Sequence, residues 1–146
     1  MIAVIPRNLA DPHSAAVIAG IEQSAQLREY SLLVRVHGDC HDSLQDSIRF
    51  VRERGAEGVI AIDQNDLQSV RMPGVSIDTA AFQFQMLKNV QELLSGVGEL
   101  AFETVLTHIT QGNSSPRFTA IQGDGLRAEV ISPPVSWDSR KLAATN

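Results

Sequence analysis

Cysteine is nearly absent from this sequence, since Cys40 is the only one among 146 residues. An internal disulfide is therefore excluded, and nothing in the composition indicates an oxidising compartment. No apolar run approaches the roughly 20 residues that a membrane span requires. Pro6 and Arg7 interrupt the apolar N-terminus too early for a signal peptide. We therefore expect a cytoplasmic protein without membrane contact.

Basic residues are also few and scattered. The chain has 12 lysines and arginines against 17 acidic residues, which gives a net charge of −5, and its basic residues cluster only at Arg49, Arg52 and Arg54. A nucleic-acid-binding module usually carries a basic face, so we expect no direct contact with nucleic acid. Neither a P-loop nor a G-x-G-x-x-G motif is present, and we expect no cofactor.

What the first 78 residues do contain is an alternation of short apolar runs and amphipathic segments. The apolar runs lack polar alternation, which favours strands buried on both faces of a parallel sheet. Strands are predicted at 2–5, 31–36, 58–62 and 74–77, and helices at 14–29 and 43–54. This order predicts an α/β fold with a doubly wound, mainly parallel sheet.

The second half of the chain adds a long helix and a pair of strands. The helix is predicted at 92–110, with an apolar face formed by Leu93, Val97, Leu100, Ala101, Val105 and Ile109. A short strand is expected at 87–90, before this helix. Strands at 118–121 and 126–131 are expected to be joined through the turn sequence G-D-G.

Two groups of segments resemble one known family. IAVIPRNLADPHSAAVIAGIEQSAQLREYSLLVRV, followed by RFVRERGAEGVIAI, resembles the start of the effector-binding domain of LacI/GalR-type transcription regulators, which are relatives of the periplasmic sugar-binding proteins. NVQELLSGVGELAFETVLTHI and ISPPVSWDSRKLA resemble segments near the end of that domain. In the family, a complete second lobe separates the two groups.

The resemblance implies the N-terminal lobe alone, without the second lobe and the DNA-binding headpiece. It would be a single flavodoxin-like α/β lobe of the periplasmic-binding-protein-like fold, spanning 1–136. Segments 2–78 and 86–136 would complete one sheet, residues 71–88 would bridge the missing lobe, and 137–146 would form a tail.

The same resemblance implies a function without catalysis. The chain would be the ligand-sensing and dimerisation lobe of a LacI-family repressor, binding a small-molecule effector of the sugar or nucleobase class. Pockets in this family lie between the two lobes, so a single lobe is expected to bind weakly if at all. Family dimers pair through helices on the lobe faces, and 14–29 and 43–54 are the expected homodimer helices.

Seven polar residues follow the carboxyl ends of the predicted strands, where ligands bind in such sheets. They are Asn8, Asp11, His13, Ser14, His37, Asp63 and Asp78. In the family loop matching Asp11-Pro12-His13, an aromatic residue often follows the proline and stacks on the ligand, and His13 replaces it here. Asp78 matches an acidic residue that contacts ligand in the family if residues 71–88 align to the far flank of the missing lobe, and these residues could match either flank. For Asp11 and Asp78, capping of a helix or turn is the competing interpretation.

The stretch V-H-G-D-C-H-D, residues 36–42, leaves a second function open. His37, Asp39, Cys40 and His41 could bind a metal or serve a small α/β enzyme. His37 and His41 would converge only on a helix, and Gly38 argues against one. We therefore favour a polar loop, in which Asp42 caps the helix that starts near Ser43.

Overall fold

In the computed structural model, the residues described are 1–38, 43–64, 70–80, 90–111, 118–124 and 127–131. Their helices and strands, in chain order, are β1 (Ile2–Pro6), α1 (Pro12–Leu27), β2 (Leu32–Val34), α2 (Leu44–Glu53), β3 (Gly58–Ile62), β4 (Gly74–Ile77), α3 (Val90–Thr110), β5 (Phe118–Asp124) and β6 (Arg127–Ile131). Among these helices, none is both long and apolar enough to cross a lipid bilayer.

The strands form one sheet in the order β2-β1-β3-β4-β5-β6. The first five are parallel, and β6 is antiparallel to β5. The order 2-1-3-4-5 is that of flavodoxin-like doubly wound sheets. The predicted fold class is therefore confirmed, and strands from both halves of the sequence share the sheet.

Helices α1 and α3 cover one face of this sheet. The predicted face of α1 is confirmed, since Val17, Ile21 and Ala25 are buried. They pack on strand side chains such as Ile2 and Ile60, and the core they share with α3 includes the fully buried Phe102. Burial of this aliphatic and aromatic surface is the main favourable contribution to folding.

Two glycines let α1 and α3 approach closely. A Cβ on Gly20 would lie 1.9 Å from the carbonyl oxygen of Ser95, and one on Gly98 would lie 2.1 Å from that of Val17. Both distances are far below van der Waals contact, so only glycine permits this crossing.

Helix α2 covers the other face. Its predicted apolar residues Leu44, Ile48 and Val51 are buried against Ala3, Ile5 and their neighbours on that face. Ser43 caps the helix through a capping box with Asp46, so the assignment of the cap to Asp42 was wrong. The serine hydroxyl accepts from the third helical N–H while the Asp46 carboxylate accepts from the Ser43 N–H.

Several predicted boundaries shift. β2 is shorter than 31–36, although the N–H groups of Arg35 and His37 continue to donate to β1. Val90 begins α3 rather than ending a strand, and 87–89 lie outside the described residues. The G-D-G turn was placed too early, because Gly123 and Asp124 belong to β5 and Asp124 pairs with Arg127. The tail, 137–146, lies outside the described residues, and the domain boundaries stay predictions.

Candidate functional site

The carboxyl ends of the strands form a polar rim, and its centre lies between β1 and β3. The chain leaves β1 towards β2 on one side and leaves β3 towards β4 on the other, because β2 and β3 flank β1. The connections that follow β1 and β3 therefore diverge at this point. Arg7 Nε, just after β1, donates to the main-chain oxygen of Asp63, just after β3, at 3.0 Å. Gln64 Nε2 donates to the main-chain oxygens of His37 at 2.8 Å and Ile5 at 3.4 Å. The loops after three strands are thereby joined.

Asp63 holds the ends of β3 and β4 together. Its backbone has a left-handed φ of 56°, unusual for a residue other than glycine. One carboxylate oxygen accepts from the Thr79 N–H at 2.7 Å, and the other accepts from the Thr79 hydroxyl at 2.6 Å. Thr79 is only 1% exposed. These short bonds supply the local stabilisation that a strained backbone needs, and they give Asp63 a structural role.

Asp11 caps the first turn of α1, as the capping interpretation predicted. It accepts from the His13 N–H at 3.2 Å, from the Ser14 hydroxyl at 3.3 Å, and lies 3.3 Å from His13 Nδ1. Burial alone would raise the pKa of Asp11, but the hydrogen bonds from His13 and Ser14 and the charge of His13 outweigh it, so the pKa is lowered. Ser14 is buried, whereas His13 is half-buried at the rim.

His37 is linked to helix α2. Its Nδ1 lies 3.0 Å from the hydroxyl of Ser47, which is itself 1% exposed. In the part of the chain that the structure describes, no group of three histidine, cysteine or acidic side chains is placed to hold a metal ion. Asp39, Cys40 and His41 lie outside that part, so their proposed metal or catalytic role stays a prediction.

Asn8 and Asp78 are exposed at the rim. Asn8 Oδ1 accepts from the Ala10 N–H at 2.9 Å, and Asp78 Oδ1 accepts from the Ala80 N–H at 3.0 Å. Both are Asx-type turns, which shape the loops after β1 and β4. The turn-capping interpretation of Asp78 is thus confirmed, and exposure leaves these two side chains accessible to a ligand as well.

The structure therefore divides the seven predicted residues by role. Asp11, Ser14 and Asp63 maintain the rim, whereas Asn8, His13 and Asp78 are at least partly accessible, and His37 links two layers. The prediction from residue types missed four residues that hydrogen-bond within the rim: Arg7, Ser47, Gln64 and Thr79. Arg7, Gln64 and Thr79 each adjoin the end of a predicted strand and could have been found there, but nothing local marks Ser47.

Comparisons with known proteins found similar solved structures. A protein described as a LacI-family transcriptional regulator from Rhizobium etli is 12% identical with a TM-score of 0.46, over 88% of this chain and 59% of that one. A LacI family transcriptional regulator from Mycobacterium smegmatis is 14% identical with a TM-score of 0.43, over 73% and 51%. An uncharacterized protein from Actinobacillus succinogenes is 17% identical with a TM-score of 0.37, over 84% and 57%.

In each case the matched region is between half and three fifths of the solved chain. No protein-family model matches the sequence, and no curated protein matches it.

Proposed function

We propose that this chain is the ligand-sensing and dimerisation lobe of a LacI-type transcription regulator. On its own it binds a small effector of the sugar or nucleoside class, and it binds weakly. The sequence resemblance suggests the family. The observation that carries the site is the joining of the β1 and β3 ends through Arg7 and Asp63. Ligands of doubly wound sheets bind in the crevice at this switch point.

The accessible groups suit a polar, uncharged ligand. Asn8 can both donate and accept hydrogen bonds, Asp78 accepts them, and His13 can do either according to its tautomer. Sugar hydroxyls and nucleobase edges present the complementary donors and acceptors. A few directed polar groups of this kind fix the orientation of a ligand in its pocket.

We propose binding without a chemical reaction. The carboxylate of Asp63 is engaged by both polar groups of Thr79, and Nδ1 of His37 is engaged by Ser47. Groups held in this way shape the rim, and a general base must instead reach a substrate proton. The expected product of the interaction is a complex, with the ligand recovered unchanged.

Weak affinity follows from the one-sided geometry. A ligand on this rim contacts one lobe and stays open to water on its other side, so few contacts offset the entropy lost on binding. We expect a dissociation constant on the order of 1 mM. In a longer protein, a second lobe would enclose the ligand and raise the affinity.

The dimer is proposed through the exposed sides of α1 and α2. Sedimentation velocity over a range of concentrations tests it. A concentration-dependent dimer that is weakened by charge substitutions on these helices supports the proposal, and a monomer at all concentrations contradicts it.

The ligand proposal is tested with thermal shift and calorimetry over a panel of sugars and nucleosides. A ligand at ten times its dissociation constant should raise the melting temperature by about 3 to 5 °C. Asn8→Ala and Asp78→Asn should each reduce that shift. Asp78→Asn keeps the Oδ1 that closes its turn, so it should leave the unliganded melting temperature nearly unchanged. Glu53→Gln is the matched control. It removes a charge from the C-terminal end of α2, and the rim lies at the N-terminal end of that helix.

Three outcomes would contradict the proposal: no panel member giving a shift, Glu53→Gln weakening binding as much as Asp78→Asn, or conversion of the ligand during the measurement. The last outcome would favour the enzyme interpretation of the 36–42 stretch.

A further inference from the structure

Among the described residues, no strand lies along the outer edge of β2. β2 is the first strand of the sheet and pairs only with β1 among the described strands. The N–H groups of Arg35 and His37 donate to β1, and the Ser31 carbonyl accepts from β1. Peptide groups alternate in direction along a strand, so those of Leu32, Val34 and Val36 face outwards. Val34 and Val36 are 41% and 45% exposed.

One side of this edge is an apolar groove. β2 and the flank of α1 border an open groove of about 350 Å³, lined by Ile18, Glu22, Ala25, Gln26, Tyr30, Leu32 and Val34. Tyr30 contributes its side chain to the groove and packs edge-on against Phe102, with the two ring centroids 5.8 Å apart. Glu22 places a negative charge at its margin. The groove therefore suits an apolar side chain and disfavours a carboxylate.

The opposite side of the same edge is cationic. The guanidinium carbons of Arg35 and Arg54 lie 4.0 and 3.5 Å from the centre of the Phe50 ring. A ring face holds one stacked guanidinium at such distances, so the two cations occupy opposite faces. Among the ion pairs of the described residues, none involves Arg35 or Arg54. Arg35 Nε is buried and has no hydrogen-bond partner among the described residues.

Stacked guanidinium groups keep their in-plane N–H donors available for carboxylates. Arg54 uses one donor on the Phe50 carbonyl at 3.3 Å, which fixes its position on the ring. The surface formed by Arg35, Phe50 and Arg54, here called the arginine–phenylalanine surface, therefore presents aligned positive charge beside an open strand edge.

We propose that this edge docks an extended peptide segment of a partner protein in which apolar and acidic residues alternate. Such a segment adds a strand to β2, and its backbone pairs with the outward peptide groups. Alternate side chains then enter the groove and meet the arginine–phenylalanine surface. A peptide strand turned the other way, with its acidic side chains in the groove, is disfavoured. It brings carboxylates to Glu22 and apolar groups to the arginines.

A second copy that pairs its own β2 with this strand fits the edge less well than a peptide does, and the dimer proposed above through α1 and α2 would compete with the peptide for the same edge. A two-fold pairing of β2 with itself keeps each sheet face continuous, and so brings both copies of Arg35 onto one face. Like charges on neighbouring positions of paired strands destabilise the pairing. Charge complementarity thus favours an acidic partner.

The test measures binding to the 146-residue chain by fluorescence anisotropy. The probe is a short labelled peptide in which valine and glutamate alternate. A peptide of the same composition, with all valines preceding all glutamates, is the pattern control. We expect the alternating peptide to bind at least about ten-fold more tightly than the control. As a strand, only the alternating peptide places all its valines on one face and all its glutamates on the other.

Arg35→Gln and Arg54→Gln should each weaken the alternating peptide about five-fold, and added salt should weaken it further. Arg52→Gln is the matched control, since it removes the same charge from the last turn of α2, two residues before the C-cap Arg54. If Arg35→Gln fails to fold, Arg35→Lys replaces it in the test. This variant keeps the charge and should therefore retain part of the affinity for the alternating peptide.

Equal binding of the two peptides, equal loss in the Arg52 variant, or no binding of either peptide would overturn the proposal. A dimer that Val34→Lys dissociates would show instead that a second copy occupies the edge. The edge lies apart from the rim, so each of these outcomes is distinct from failure of the effector proposal.

Discussion

The two faces of the sheet are stabilised in different ways. On one face, α1 and α3 cross so closely that glycine is required at the contact, and large side chains such as Phe102 fill the space beneath. On the other face, α2 carries defined hydrogen bonds at both ends and a half-buried aromatic ring between two cations. We expect the first face to be sensitive to shape and the second to be sensitive mainly to local polar contacts.

The largest effect is expected from removing Phe102, and Phe50 on the other face provides the comparison. Phe102→Ala removes a fully buried ring and should lower the free energy of unfolding by roughly 3–5 kcal/mol. Phe50→Ala removes a half-buried ring with two cation contacts and should lower it by about 1 kcal/mol. Urea unfolding measures both. Equal losses would mean that the two faces are stabilised alike.

The next effect concerns the helix crossing. A Cβ at position 98 meets the Val17 carbonyl at 2.1 Å, so Gly98→Ala should lower the free energy of unfolding by roughly 2–3 kcal/mol. Gly96→Ala on the same helix meets nothing within 4 Å. It should raise that free energy by about 1 kcal/mol, because alanine favours the helix. Thermal and urea unfolding measure both variants. If Gly98→Ala and Gly96→Ala change the free energy of unfolding in the same direction, the close crossing is refuted.

A smaller effect is expected at the helix ends. α1 and α2 both end in a Schellman motif, closed by the N–H of Tyr30 on Ala25 and the N–H of Ala56 on Val51. The left-handed residue is Glu29 in α1, with φ of 57°, and Gly55 in α2, with φ of 95°.

Glu29→Gly should therefore stabilise the protein by about 1 kcal/mol, and Gly55→Ala should destabilise it by about the same amount. Calorimetric melting temperatures should move in opposite directions. If both variants are destabilised, the Glu29 side chain makes a contribution other than its backbone conformation.

The smallest effect is a change in the pH dependence of stability. The lowered pKa of Asp11 means that the unfolded chain binds its proton more readily than the folded one. The stabilisation is complete above the unfolded pKa, near 3.8, and is lost as the pH falls through the folded pKa. The free-energy difference between the wild type and Asp11→Asn should therefore be larger at pH 6 than at pH 2.5. A constant difference would assign the role of Asp11 to neutral hydrogen bonds alone.

Local patterns predicted the parallel sheet and most of its helices correctly. The strands 58–62 and 74–77 have the predicted bounds, because continuous apolar runs suit only burial on both faces. The buried residues of α3 were predicted less well. Leu94, Phe102 and Leu106 were missed, because α3 contacts both α1 and the sheet and so buries a wider face than a single helical stripe.

The rim shows the same limit for functional residues. Residues at strand ends were correctly expected to share one edge, since parallel strands bring their carboxyl ends together. Whether a carboxylate stays accessible was not predictable from its position. Asp63 and Asp78 both follow a strand, yet Asp63 is held by Thr79 and Asp78 is exposed.

The order of apolar runs and amphipathic segments determined by itself that this chain forms a doubly wound α/β sheet, because strand and helix periodicities are local properties. The tertiary structure decided which polar groups are used within the fold and which remain accessible. It also placed Arg35, Phe50 and Arg54 on one side of the β2 edge. Such contacts depend on distances between segments far apart in the chain, which no local pattern encodes.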